Sequence, residues 1–261
     1  MDPHAGHSAL ADPPLPGVDP GHEFTLTHWT QVLAAAQADA AAAAPALEKL
    51  CRKYWYPIYV YVRQRSADTH EAEDLTQGFF EHLLRNEVLK GVARERGRFR
   101  HFLLAVLRNF LANDYQRQRT YKRGKGYEIV SLEELHSETL YAREPADPAG
   151  PEHGFQRRWA WVLIKQALAR LQAEYAAQGN AALFARLEPS LTGELPPGGL
   201  ARLSLALATN EGAVKVTLHR LRRRFRDLLR GEIEQTVARK EDVTEELRHL
   251  LSALAAGQPP P

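Results

Sequence analysis

Residues 210–230 read NEGAVKVTLHRLRRRFRDLLR. Val214, Leu218, Leu221, Phe225 and Leu228 recur every three to four positions, the spacing of a helix with one buried face. Asn210 stands just before the first of them, and its short amide side chain suits an N-cap. The opposite face carries Lys215, His219, Arg220, Arg223 and Arg226. Seven Lys and Arg residues against Asp227 alone give the segment Lys215–Arg230 a local charge of +6. A charged helix face is usually just solvated, but the preceding residues change that reading. Leu200, Leu203 and Leu207 mark a short helix joined through Ala208 and Thr209 to Asn210, and this is the layout of a helix-turn-helix. The sequence therefore predicts a helical DNA-binding module from Leu195 to Arg230, with Glu211–Arg230 as the helix that meets the duplex. DNA phosphates are the natural counter-surface for its cations.

Upstream, Phe24 to about Arg123 reads as helix almost throughout, with Thr27 as an N-cap before Trp29, Val32 and Leu33. Pro57, following the aromatic run Tyr54, Trp55, Tyr56, predicts a kink or break, because it lacks the N–H of the helical ladder. Asp68 or Thr69 can cap a helix whose Leu75, Phe79 and Leu83 form one stripe, with Phe80 and Leu84 beside it and an acidic opposite face. After the basic loop Lys90–Arg98, a stronger stripe runs through Phe99, Phe102, Leu103, Val106, Leu107, Phe110 and Leu111. Ten Lys and Arg residues against Glu95 and Asp114 give the segment Arg94–Lys125 a net +8, interleaved with Phe99, His101, Phe102 and Tyr115. Cations that follow a backbone and rings that stack on unpaired bases are what single-stranded nucleic acid requires. Phe99, Phe102 and Phe110 are read as core, so the arginines carry that functional claim.

The remaining segments set the organisation. Residues 1–22, rich in proline and glycine, read as a disordered tail; 23–125 form one helical domain. Residues 126–154, with the run Glu144-Pro-Ala-Asp-Pro-Ala-Gly-Pro, read as a flexible linker; 155–230 form a second domain, with a helical pattern through Trp161, Ile164, Leu168 and Leu171. Residues 231–261 are an acidic helical extension and tail, with Glu232, Glu234, Glu241, Asp242, Glu245 and Glu246 beside Val243, Leu247, Leu250, Leu251 and Leu254. The expected fold class is all-α, two helical domains joined by a linker. Such an extension could fold onto a basic surface or engage a regulator.

Composition narrows the function classes. Of 261 residues 44% are hydrophobic and the formal net charge is +2, so the placement of the 34 Lys and Arg residues matters more than their total. The single cysteine, Cys51, lies among apolar residues and reads as a buried small hydrophobe. No secretory or membrane-spanning segment is legible, and a cytoplasmic location is the default. No nucleophile constellation, glycine-rich phosphate loop or cofactor motif is present, so the chain reads as a non-enzyme with no cofactor, no catalytic residue and no metal. His70, Glu73 and Asp74 share the spacing of a metal face, but solvated acids are the simpler reading.

The segment Asn210–Leu229 resembles the second helix of region 4 in extracytoplasmic-function (ECF) sigma factors. EAEDLTQGFF at 71–80 looks like the region 2 helix that docks on the polymerase clamp, and FRHFLLAVLRNFLAND at 99–114 like the adjoining promoter-melting helix. The resemblance implies a factor that performs no covalent chemistry, with core RNA polymerase (clamp and flap) and promoter DNA as partners and an anti-sigma factor or other regulator as a further partner class. Residue by residue, it carries polymerase contact onto Asp74, Gln77 and Phe80. It carries minus-ten contact onto Arg94, Arg96, Arg98, Arg108, Asn109, Asn113, Gln116 and Arg117, with the loop Val92–Arg98 receiving a flipped base. Minus-thirty-five contact falls on Lys215, Val216, His219 and Arg220, with Asn210 and Arg223 near phosphates. Arg220 is of the type that reads guanine bidentately, and Val216 could meet a thymine methyl. Ala208 departs from the compact glycine-like residue common at that turn. Two other classes stay open: a stand-alone helix-turn-helix regulator with an N-terminal sensor or dimerisation half, and a metal enzyme using His70, Glu73 and Asp74.

Overall fold

A computed structural model describes residues 40–85, 97–120, 141, 147, 149–191 and 195–255. Every regular element among them is helical: α1 (Ala40–Arg63), α2 (Thr69–Arg85), α3 (Phe99–Thr120), α4 (Pro151–Ala177), α5 (Ala181–Leu187) with a 3-10 turn (Glu188–Ser190), α6 (Gly199–Ala206), α7 (Glu211–Glu234) and α8 (Asp242–Ala255). The expected all-α class holds. The expected cap at Thr27 and the helix start at Trp29 lie outside the described residues, as do the tail 1–22 and most of the stretch 126–148.

The predicted break at Pro57 does not occur. Helix α1 runs through it, with Tyr54, Ile58, Tyr59, Val60, Tyr61 and Val62 all buried. Packing on both sides of the proline offsets its missing donor, as tertiary burial routinely overrides local propensity. At the start of α2 the cap falls to Asp68, whose Oδ1 accepts from the Glu71 N–H at 2.8 Å. Glu71 reaches back to accept from the Ala67 N–H at 2.7 Å, a variant of the reciprocal capping box.

Two hydrophobic clusters form the interior of the described residues. The first joins α1 to α2 (Ala72, Phe79, Phe80, Leu83), α3 (Phe99, Leu103, Leu107) and the first half of α4 (Phe155, Trp159, Ala160, Leu163). At its centre the Trp159 ring stacks on Tyr54, centroids 4.3 Å apart and planes 9° from parallel, with Phe99 tilted against Trp159 at 5.9 Å. The second cluster joins the other half of α4 (Ala167, Leu171) to α5 (Phe184, Leu187), Leu191 and the apolar face of α7.

Helix α4 thus belongs to both, which the sequence reading did not anticipate. Its fully buried apolar side chains include Phe155, Trp159, Leu163, Ala167 and Leu171, spaced by four, while Ile164 and Leu168 of the expected stripe are only partly buried. Steps of four residues overshoot one turn by about 40° each, so the buried face winds around the helix from one cluster to the other. Helix α7 is shared in the same way: Val214 to Leu228 fill the second cluster, whereas Ile233, with Val237, Val243 and Leu250 beyond it, closes the first. The boundary expected at residue 154 is therefore spanned by one helix, and residues 155–163 pack with the N-terminal elements. The C-terminal extension expected from 231 is not an appendage either, since its apolar face is part of the first core.

Ionic contacts follow the same seam. Glu232 on α7 accepts from Arg170 of α4 at 2.9 Å and lies 4.0 Å from Lys53 of α1. Burial lowers the Lys53 ammonium to about 8, with the Glu232 carboxylate acting in the opposite direction. Removing the stack at the centre tests the arrangement. Trp159→Ala is expected to cost about 3–5 kcal/mol of unfolding free energy, measured by urea denaturation with α-helical circular dichroism. A loss under 1 kcal/mol would show that the ring does not hold the two halves of α4 in place.

Candidate nucleic-acid interface

The helix-turn-helix is built by hydrogen bonds at the end of α6. The Ala208 N–H donates to the Leu205 carbonyl at 3.2 Å and the Thr209 N–H to the Ser204 carbonyl at 2.9 Å, the paired closing bonds of a Schellman turn. That motif requires a left-handed residue at Ala208, whose φ is 48°, the one non-glycine with positive φ among the described residues. Glycine is the usual occupant because a Cβ there crowds the backbone. Asn210 then caps α7, its Oδ1 accepting from the Ala213 N–H at 2.8 Å. Helix α6 is only eight residues long, starting at Gly199 after Gly198 at φ 74°, as Pro197-Gly-Gly foreshadows.

Turn and cap together fix which face of α7 points outward. Val214, Leu218, Leu221, Phe225 and Leu228 are buried, and Leu200, Leu203 and Leu207 of α6 pack on the same cluster. Asn210, Lys215, Val216, His219, Arg220 and Arg223 are all exposed, as is Arg226. Val216, half exposed, is the apolar member of this cationic surface.

Three of the seven cations behind the local charge of +6 bind α7 to neighbouring elements. Arg222 turns inward and donates through Nε and Nη2 to the Ser190 carbonyl at 3.2 and 2.7 Å. Arg224 forms a bidentate pair with Glu174 of α4 at 2.8 and 2.6 Å, which raises its pKa above the ordinary guanidinium value. Arg230 donates to the Thr244 hydroxyl of α8 at 3.0 Å. Alternate arginines on α7 thus anchor the helix to its neighbours, while Lys215, Arg220, Arg223 and Arg226 make up the outward face.

The second basic surface, on α3, is arranged differently. Arg94 and Arg96 lie outside the described residues; Gln116 and Arg117 fall within α3, but their side chains are not described. Asn109 and Asn113 are exposed, as is Tyr115, beside an open groove of about 340 Å³ lined by Arg65, Leu75, Arg108 and Leu111 among others. Arg98 pairs with Glu245 at 2.9 Å and Glu246 at 3.0 Å on α8. Arg100 holds Glu246 bidentately at 2.6 and 3.0 Å, with 3% and 0% of the two side chains exposed. Arg108 pairs with Glu152, on the first turn of α4, at 2.5 Å.

The Arg100–Glu246 pair was missed in the sequence, although a signal for it exists. Glu246 lies on the same helical stripe as Val243, Leu250 and Ala253, and Arg100 shares one with Leu104 and Leu107, so both sit at core positions. Paired buried charges satisfy each other, and either alone would be costly.

The residues assigned to polymerase contact divide. Asp74 is exposed. Gln77 is half-buried, its amide nitrogen enclosed with no hydrogen-bond partner. Phe80, to which the resemblance carries polymerase contact, is buried and stacks on Trp55 at 5.5 Å, and Phe79 is buried with it. Phe80 is held by α1 through Trp55, whereas Phe79 meets Phe110 of α3 at 6.0 Å, where a Cβ on Gly78 would come within 3.2 Å of the Phe110 ring. Among the described residues no group of three or more His, Cys, Asp and Glu side chains is placed to hold a metal. His70 lies 4.0 Å from Glu73 and is almost wholly exposed. No described helix is long and apolar enough to cross a membrane. Comparison of the chain with protein-family models, curated proteins and solved structures finds no match.

Two substitutions test the construction of the module. Asn210→Ala should cost about 1 kcal/mol by orphaning the first turn of α7. Ala208→Gly should add about 0.5–1 kcal/mol, because relief of left-handed strain exceeds the entropy added to the unfolded chain. Denaturation midpoints check both, and a destabilising Ala208→Gly would refute the turn assignment.

Proposed function

We propose that this chain is a promoter-directing transcription initiation factor of the ECF sigma type, which binds core RNA polymerase and reads promoter DNA at two elements. The observation that carries the reading is the outward face of α7, where Lys215, Val216, His219, Arg220 and Arg223 stand exposed on a capped helix braced by α6. A helix held this way can enter a major groove, with side chains near its N-terminus reaching base edges. The motif resemblance at 71–80 and 99–114 supports the wider assignment, since those segments form adjacent helices α2 and α3.

In this reading Arg220 reads a base, and Arg223 and the amide of Asn210 meet phosphates of the minus-thirty-five element. Val216 sits where a thymine methyl would be sensed. Arg98, Arg108, Asn109 and Asn113 belong to the minus-ten surface, with Arg94, Arg96, Gln116 and Arg117 assigned to it by resemblance. Asp74 and the exposed polar part of α2 face the clamp, while Phe80 backs that surface from the core. No step of catalysis falls to this protein; the polymerase supplies it.

Footprinting on a selected promoter, with and without core polymerase, tests the proposal. Protection of both elements is expected only in the presence of core. Arg220→Ala should lower occupancy about ten- to hundredfold and relax the preference at one base pair, as loss of a 1–3 kcal/mol bidentate contact requires. Arg223→Ala should weaken binding uniformly and reduce the salt slope by about one. Tight protection of a palindrome by the chain alone would instead establish a stand-alone regulator.

A further inference from the structure

All three Lys or Arg side chains described between residues 97 and 115, namely Arg98, Arg100 and Arg108, end on carboxylates contributed by other elements. There are two such elements, both distant in sequence: α8, with Glu245 and Glu246, and the start of α4, with Glu152. A carboxylate forked on a guanidinium presents the same paired acceptors that a phosphate does. From this we infer that Glu245 and Glu152 act as intramolecular substitutes for strand phosphates, holding the α3 surface closed to single-stranded DNA until a strand displaces them. The inference rests on the proposed role of α3 in binding the melted strand.

The carboxylates fall into two tiers. Glu246 is fully buried with Arg100, on a helix whose Val243, Leu250 and Ala253 are also buried. That tier anchors α8 and does not exchange. Glu245 and Glu152 are about half exposed, at 54% and 48% of their side chains; opening their pairs releases Nη2 of Arg98 and of Arg108, while Nε of Arg98 stays on the buried Glu246 at 3.0 Å. Hydrogen bonding to Arg98 also draws the Glu245 carboxyl below its ordinary pKa. Exposed pairs of this kind are weak, which suits a barrier that a polyanion can overcome.

The test is the double variant Glu152→Gln/Glu245→Gln, which keeps shape and removes both exposed competitors, with binding to a fluorescein-labelled 20-mer of single-stranded DNA followed by anisotropy. A second variant, Glu188→Gln/Glu241→Gln, makes the same change in net charge at exposed sites that pair with none of Arg98, Arg100 and Arg108. The first should bind about three- to tenfold more tightly than wild type, the second no more than about half as much improved on a logarithmic scale. The advantage should shrink as salt rises from 50 to 200 mM. Unaltered thermal melting by circular dichroism shows that the fold is kept.

Equal affinities of the two variants would overturn the inference. Assaying wild type for initiation with core polymerase separates the two claims. Initiation without a gain in the first variant removes the occlusion and keeps the proposed function. A gain without initiation keeps the occlusion and removes the proposed function.

Discussion

One helix, α7, has to satisfy three demands at once, and the rest of the molecule is organised around how it does so. It buries Val214 to Leu228 in one core, delivers Ile233 and Glu232 to another, and leaves Lys215, Arg220, Arg223 and Arg226 outside. The buried side chains follow a repeat of four and three that stays on one face, so the cationic side is never drawn inward. The arginines between those faces, Arg222 and Arg224, resolve the conflict by hydrogen bonding to Ser190 and Glu174. A highly basic helix is thereby pinned by some of its charges and exposed through others.

The winding face of α4 is the complementary device. Because its buried positions advance by four, Phe155 and Trp159 meet the Tyr54 core while Ala167 and Leu171 meet the α5–α7 core. The two helices that the proposed function assigns to separate promoter elements both meet α4, α3 through Phe99 on Trp159 and α7 through Ala167 and Leu171. Glu232, bonded to Arg170 and near Lys53, ties α1, α4 and α7 together at the crossing. Any separation of the α3 and α7 surfaces would have to open contacts along this seam.

Much of this could be read locally. The apolar stripes of α2, α3 and α7, the Asn210 cap and the short leading helix all follow from spacing and side-chain chemistry within a few residues, so they are visible without the fold. What escaped was decided at long range. Pro57 is tolerated because distant partners bury its neighbours, and Phe80 faces inward because Trp55 of α1 stacks on it. Arg100 and Glu246 find each other across 146 residues. Summing charge over residues 94–125 or 215–230 treated every arginine as solvent-facing, whereas pairing partners elsewhere in the chain consume several. The site was legible as a set of residue types, and its free faces only once those partners were placed.

The account turns on whether the exposed face of α7 and the surface of α3 serve one act, promoter opening by polymerase. Run-off transcription from a promoter library, with purified core polymerase in the presence and absence of this protein, measures that directly. Discrete transcripts that appear only when the protein is added, from templates sharing two spaced elements, are the predicted result. Association with core that is undetectable, together with transcript patterns identical with and without the protein, would contradict it.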